Sequence, residues 1–135
     1  MVHRHVYTSP EPEAAAHREL GATTASRLNG CVFCASVHAR LFAQHTKNRA
    51  LAQRFLADGV EAELPPVERA VVDLSAKVTT DPEALTAADP APLRGLGFDD
   101  LAILDVINYA AFFANANRLM LTLGESKAAT RTGAG

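Results

Sequence analysis

Apolar residues recur at three- and four-residue intervals along most of this chain, and nowhere do valine and isoleucine alternate with polar neighbours. The first pattern lays a stripe down one side of a helix, whereas the second would build a half-buried strand. The chain is therefore read as all-α. Ser9-Pro10-Glu11 supplies an N-cap hydroxyl, a proline for the first turn and an acid, so a helix is expected from there to about Leu28, stopped by Asn29-Gly30. A second helix is expected from near Cys31 to Thr46, and a third from Asn48 or Arg49 to Asp58, closed by Gly59. Pro65-Pro66 opens a fourth, whose Val71, Leu74 and Val78 keep helical spacing to about residue 78. Thr80-Asp81-Pro82-Glu83 starts a short helical piece, Asp89-Pro90-Ala91-Pro92 reads as a turn, and a second short piece is expected before Gly95-Leu96-Gly97. The longest helix runs from about Asp99 to Leu123, with Gly124 just beyond it. It is apolar nearly all round between Leu101 and Ala114, which makes it either central to the bundle or shared with another subunit.

At 135 residues the chain is the size of one domain and long enough to bury a core without disulfide or metal staples. The expected organisation is an arm over 1–8, a helical domain over 9–124 and a small, polar tail over 125–135. A net charge of −2 with 21% charged residues gives no basic field for nucleic acid or an anionic membrane. Val106 to Ala114 is the longest apolar stretch, interrupted by Asn108 and far short of the roughly 20 residues of a membrane span. The opening Met1-Val2-His3-Arg4-His5 carries no apolar signal region. A cytoplasmic location is therefore expected, and two cysteines three apart there read as catalytic or metal-binding rather than as a structural staple.

Those cysteines lie in Asn29-Gly30-Cys31-Val32-Phe33-Cys34-Ala35-Ser36-Val37-His38. The pair follows a helix stop and opens the next helix, where free backbone N–H groups favour a thiolate and lower a cysteine pKa. His38 stands one turn after Cys34 on the same face, and helical side chains lean toward the N-terminus. This makes Cys34 the thiol that His38 can deprotonate and Cys31 the partner that could close a disulfide. Zinc is the rival reading, since two cysteines and a histidine are three ligands. The fourth is hard to supply: His45 lies about 10.5 Å further along the helix from His38, and His17 would have to come from the preceding helix. Two packed small hydrophobes are the plainest alternative. His45 reads as a partly exposed surface residue.

Glu19, twelve positions before Cys31, followed by Cys31-x-x-Cys34-x-x-x-His38, resembles the signature of the AhpD-like alkylhydroperoxidase and carboxymuconolactone decarboxylase superfamily. Tyr109-Ala-Ala-Phe-Phe-Ala-Asn115-Ala-Asn117-Arg118-Leu119, then Leu123-Gly124, is similar to the closing helix of its peroxidase-related branch. The resemblance covers roughly residues 10–124. It implies a compact bundle of about five to six helices that assembles as a homo-oligomer (a trimer, hexamer or dimer) and needs no cofactor or metal. It further implies reduction of an organic hydroperoxide, with Cys34 as peroxidatic thiol, Cys31 as resolving thiol, and His38 and Glu19 as the proton-relay pair. A dithiol or thioredoxin-like reductant would reopen the disulfide. One position departs from the best-studied pattern: a histidine stands between the cysteines there, and here it is Phe33, which cannot relay protons. The decarboxylase branch, which does not depend on the cysteine pair, and a redox-sensing dithiol oligomer remain as other functions.

Two further features bear on the site. Pro12, Ala15, Ala16, Glu19, Ala22, Thr23 and Ser26 share one helix face, small residues round a single acid, which suits close packing about a carboxylate; a solvated surface acid is the alternative. Asn108, Tyr109 and Asn115 to Arg118 either line a pocket over the thiols or pack, cap and pair between helices, and Arg118 could equally serve an ion pair between subunits.

Overall fold

Helices cover most of residues 12–124, the part of the chain that the computed structural model describes, and no strand occurs among them. The arm, the Ser9-Pro10-Glu11 helix start and the 125–135 tail lie outside the described residues. The order is α1 (Pro12–Leu28), α2 (Val32–Thr46), α3 (Arg49–Asp58), α4 (Pro66–Thr80), α5 (Ala91–Gly95) and α6 (Asp100–Leu123). Single 3-10 turns lie at Gly59–Glu61 and Pro82–Ala84. The all-α bundle expected from the periodicity is the bundle found.

Local chemistry sets the boundaries. Helix α1 ends where Gly30 takes a φ of +73°, a left-handed conformation that glycine adopts without strain. The Cys31 N–H then bonds the Ser26 carbonyl at 3.0 Å and the Gly30 N–H that of Arg27 at 3.3 Å, the paired closure of a glycine-ended helix. Asn48 caps α3 by accepting from the Leu51 N–H at 3.0 Å, and Asp99 caps α6 by accepting from Ala102 at 2.8 Å. One boundary differs from expectation. The segment read as a turn at Asp89–Pro92 is already entering α5 at Ala91, because a proline is tolerated in a helix's first turn, where its missing N–H has no partner to lose.

Helix α1, rather than the long apolar α6, takes the centre. It packs against α2, α4 and α6, and its small residues allow the approach: Ala16, Ala22 and Ala25 are buried. A methyl group added at Gly21 would sit 3.2 Å from Ser75 Oγ and 3.3 Å from the Val106 carbonyl, so α4 and α6 both come to backbone distance there. Helix α6 buries Ile103, Val106, Tyr109, Ala110, Ala114 and Asn117. Leu101, Leu104, Phe112, Leu119 and Leu123, at intervals of three, eight, seven and four residues that keep them to one side of the helix, remain exposed. The helix is thus buried along one side and exposed along the other within the subunit. The large apolar core lies where all six described helices converge, with Leu20, Phe42, Phe55, Val71, Val72, Leu93 and Val106 nearly sealed from water. A buried Arg18–Asp105 ion pair at 3.6 Å ties α1 to α6 beside it.

Candidate functional site

Cys31 is the residue immediately before α2 and Cys34 lies in that helix's first turn, both buried. Their sulfurs are 2.8 Å apart and the cysteines are free rather than disulfide-bonded. The extended backbone of Cys31 (φ −83°, ψ 91°) swings its side chain back over the start of the helix, which brings the two sulfurs together. The N–H of Cys31 itself is not among the free donors expected at this helix start, since it closes the end of α1. Val32 and Phe33, between the cysteines, face solvent, so the dithiol has an apolar outer lip.

His38 follows Cys34 by one turn and is 7% exposed. Its Nδ1 lies 2.6 Å from Oε2 of Glu19, which is 8% exposed and comes from the neighbouring helix α1. Two groups nineteen residues apart thus meet as a buried pair, and the small face of α1 predicted to surround a carboxylate does surround one. A carboxylate accepting from Nδ1–H fixes the tautomer in which Nε2 carries the lone pair. The reading of Glu19 as a solvated surface acid is set aside by its burial. The Tyr109 hydroxyl, from α6, donates to the other Glu19 oxygen at 3.4 Å. Phe113 covers the imidazole edge-on, with ring centroids 4.1 Å apart, and packs in turn on Tyr109. The pair is therefore enclosed by α1, α2 and α6, where low local polarity strengthens a charge-assisted hydrogen bond.

Helix α6 does two further things here. Met120 places Sδ 3.3 Å from the Cys34 sulfur. Asn117, fully buried, donates to Ser26 Oγ at 3.0 Å and accepts from Asn29 Nδ2 at 3.3 Å. It thereby ties α6 to the corner between α1 and α2, just ahead of Cys31. Of the closing-helix candidates, Asn117 and Tyr109 pair between helices, while Asn115 and Arg118 are exposed. Sequence reasoning did not single out Met120; its only signal is its place three residues after Asn117, one turn along the same side of α6. His17 turns elsewhere and stacks on Phe98 at 4.8 Å, and His45 is exposed. Among the described residues no group of three His, Cys, Asp or Glu side chains is arranged to hold a metal ion. No described helix is long and apolar enough to cross a membrane.

No family model matches the chain, and no curated protein does. Solved structures do. One, from Ralstonia eutropha JMP134, is described as an alkylhydroperoxidase AhpD core and uncharacterized peroxidase-related protein. It is 29% identical with a TM-score of 0.72, over 79% of this chain and 56% of that one. Another, an uncharacterized peroxidase-related protein from Silicibacter sp. TM1040, is 26% identical with a TM-score of 0.77, over 93% of this chain and 65% of that one. The chain thus spans rather more than half the length of these relatives. The fold is that of peroxidase-related proteins with an AhpD core, in keeping with the AhpD-like superfamily that the sequence resembles.

Proposed function

We propose that this AhpD-like chain is a thiol-dependent peroxidase that reduces organic hydroperoxides through a Cys31–Cys34 disulfide cycle with a Glu19/His38 proton relay. The observation that carries the reading is the buried Glu19–His38 contact of 2.6 Å, one turn from a pair of thiols whose sulfurs are 2.8 Å apart. A surface bundle has no use for a buried carboxylate aimed at an imidazole, since isolated buried charges cost several kcal/mol; a thiol that must lose a proton does. The peroxidase-related descriptions of the neighbouring structures support the same reading.

Each residue then has a task. Glu19 holds Nδ1–H, and Nε2 of His38 takes the Cys34 proton. The thiolate attacks the terminal peroxide oxygen; the O–O bond breaks, the alcohol leaves with the proton returned by His38, and Cys34 becomes a sulfenic acid. The Cys31 sulfur, already adjacent, displaces water from it and forms the disulfide. Two electrons and two protons from a dithiol or thioredoxin-like donor reopen it. Because Phe33 occupies the position between the cysteines, the relay runs through His38 alone. The exposed leucines and Phe112 along α6 support assembly of the domain as a homo-oligomer with that face covered.

The reading is tested by adding stoichiometric tert-butyl hydroperoxide to the reduced chain and counting free thiols with time. Wild type is expected to lose two thiols rapidly, Cys31→Ser to accumulate a trappable sulfenic acid, and Cys34→Ser to stay inert. Glu19→Gln is expected to slow the reaction by about 10²–10³-fold, the usual scale of lost acid–base assistance, and to flatten its pH profile. No thiol loss over minutes in wild type overturns the peroxidase and leaves the dithiol without this activity.

A further inference from the structure

The two thiols, though their sulfurs are 2.8 Å apart, have different neighbours. Cys34 looks toward α6, where Met120 touches its sulfur, and His38, covered by Phe113, lies one turn along from it. Cys31 instead forms part of the floor of a recess of about 270 Å³ bounded by Arg27, Gly30, Ala35 and Leu56. Ser36 and Leu56 also border a second recess of about 560 Å³ between α2 and α3, floored by Ala39, Ala43 and Ala52. The two recesses share Ser36 and Leu56 and together trace a groove along α2 from Cys31 to Gln44, with neither Glu19 nor His38 in its lining.

The groove has a charge of its own. Arg40 and Arg49 line its far part and Arg27 its near part, and no acidic residue lines either recess. Arg27 gives its guanidinium to the carbonyls of Leu56 and Ala57, which leaves its positive charge uncompensated. Among the described residues none of the three arginines pairs with a carboxylate. In a chain whose net charge is −2 this is a local positive field over a floor of alanines. The volumes fall in or near the range of small-ligand clefts, roughly 300–1,000 Å³, whereas a protein partner needs about 800 Å² of surface per side.

We infer that this groove binds a small anionic thiol, with its anion on Arg40 and Arg49 and its sulfur over Cys31, and that this thiol reopens the Cys31–Cys34 disulfide. The inference rests on the proposed disulfide cycle and names the class of reductant that completes it. The donor thiolate attacks Cys31 Sγ, the Cys31–Cys34 bond breaks, and Cys34 leaves as a thiolate beside His38, which protonates it. A second donor thiol attacks the donor sulfur of the mixed disulfide; Cys31 leaves as a thiol and the donor departs as its own disulfide. Attack on Cys31 rather than Cys34 is favoured twice over: the groove reaches Cys31, and the sulfur beside an imidazole is the better leaving group. Nine residues of helix from Cys31 to Arg40 rise about 13.5 Å, so sulfur and anion should lie about 10–15 Å apart, less the reach of the arginine side chain.

The test starts from disulfide made with diamide, so that it does not depend on peroxide chemistry. Reduction rates, corrected for thiolate fraction, are measured with ω-mercaptoalkanoates from mercaptoacetate to mercaptooctanoate and with mercaptoalcohols of matching length. The carboxylate is expected to outpace its alcohol by about tenfold at the longer chain lengths and not at the shortest. That ratio should fall to near one in the Arg40→Glu, Arg49→Glu double variant and in wild type at about 1 M salt, where screening acts within about 3 Å. A ratio that is the same at every length, or unmoved by the double variant, overturns the groove and leaves the disulfide cycle standing. So does a thioredoxin-like protein that reduces the disulfide while charged and neutral small thiols do so equally slowly. Failure of diamide to form any intramolecular disulfide overturns both readings.

Discussion

The two ends of this bundle are held together by different physics. Where α3, α4 and α5 meet the middle of α1, the far part of α2 and the near part of α6, the contacts are Leu20, Phe42, Phe55, Val71, Val72, Leu93 and Val106, sealed and almost wholly apolar. Where α1 and α6 meet the first half of α2, the buried groups include the polar Glu19, Thr23, Ser26, His38 and Asn117 beside the two cysteines, and the apolar ones are mostly alanines with Tyr109 and the half-buried Phe113. Apolar burial gains about 25 cal/mol for each Å² removed from water, whereas a buried hydrogen bond nets only about 0.5–1.5 kcal/mol after its partners are desolvated. The first end therefore carries the stability, and the second is built for geometry. A bundle selected for stability alone would fill the second end with leucine, so the polar groups there are explained by what they hold in place.

The sharpest way to break this contrast is to truncate one residue at each end. Phe55→Ala, in the sealed end, is expected to lower unfolding free energy by about 3–5 kcal/mol. It should leave the thiol reactivity of the folded fraction close to wild type. Glu19→Gln, in the polar end, should do the reverse, costing no more than about 1–3 kcal/mol while the thiols slow sharply. Urea titration at 15 °C alongside thiol counting reads both. If Glu19→Gln proves the more destabilising of the two, the polar end is part of the structural core and the division fails.

A smaller effect tests the joint between the ends. Asn117 bonds Ser26 and Asn29 at the corner that sets Cys31. Asn117→Ala strands those two partners and is expected to cost about 1–3 kcal/mol. It should also slow closure of the disulfide more than it slows the first oxidation of Cys34, because the corner positions only the resolving thiol. Separate rates for sulfenic-acid formation and thiol loss distinguish the steps; equal slowing of both would mean that Asn117 merely stiffens the bundle.

Sequence alone revealed the two ends unequally. Helix periods, capping residues and the glycine at position 30 are local, so α1 to α4 and α6 could be drawn within a few residues of where they lie. The thiol pair and His38 share one helix, and three- and four-residue spacing is enough to put them on one face. Glu19 was legible through the resemblance of its spacing from Cys31 to a family signature, and the small, uncharged helix face around it agreed. Met120 was not, since its contact with Cys34 spans eighty-six residues and depends on how α6 crosses α2. The Arg18–Asp105 pair was hidden for the same reason. Nor could the pattern tell that α1 rather than α6 lies at the centre, because α1 owes that place to residues too small to give a strong apolar stripe. The α2–α3 groove is a gap between side chains, and a sequence does not print gaps.

The smallest expected effect comes from a histidine outside both ends. His17 stacks on Phe98, and burial there pushes its pKa below the ordinary 6.5; Arg18 pushes the same way, and Glu68 and Glu13 only partly offset it. The unfolded chain therefore takes up this proton first as the pH falls. Stability from His17 is complete above about pH 6.5 and is lost as the pH drops through its folded pKa. In His17→Gln that loss is absent. Between pH 7.5 and pH 5 the melting temperature of wild type should therefore fall further than that of the variant, by about 1–3 °C, since the histidine is only partly buried. Parallel melting curves would show that burial of His17 does not set the acid sensitivity of the fold.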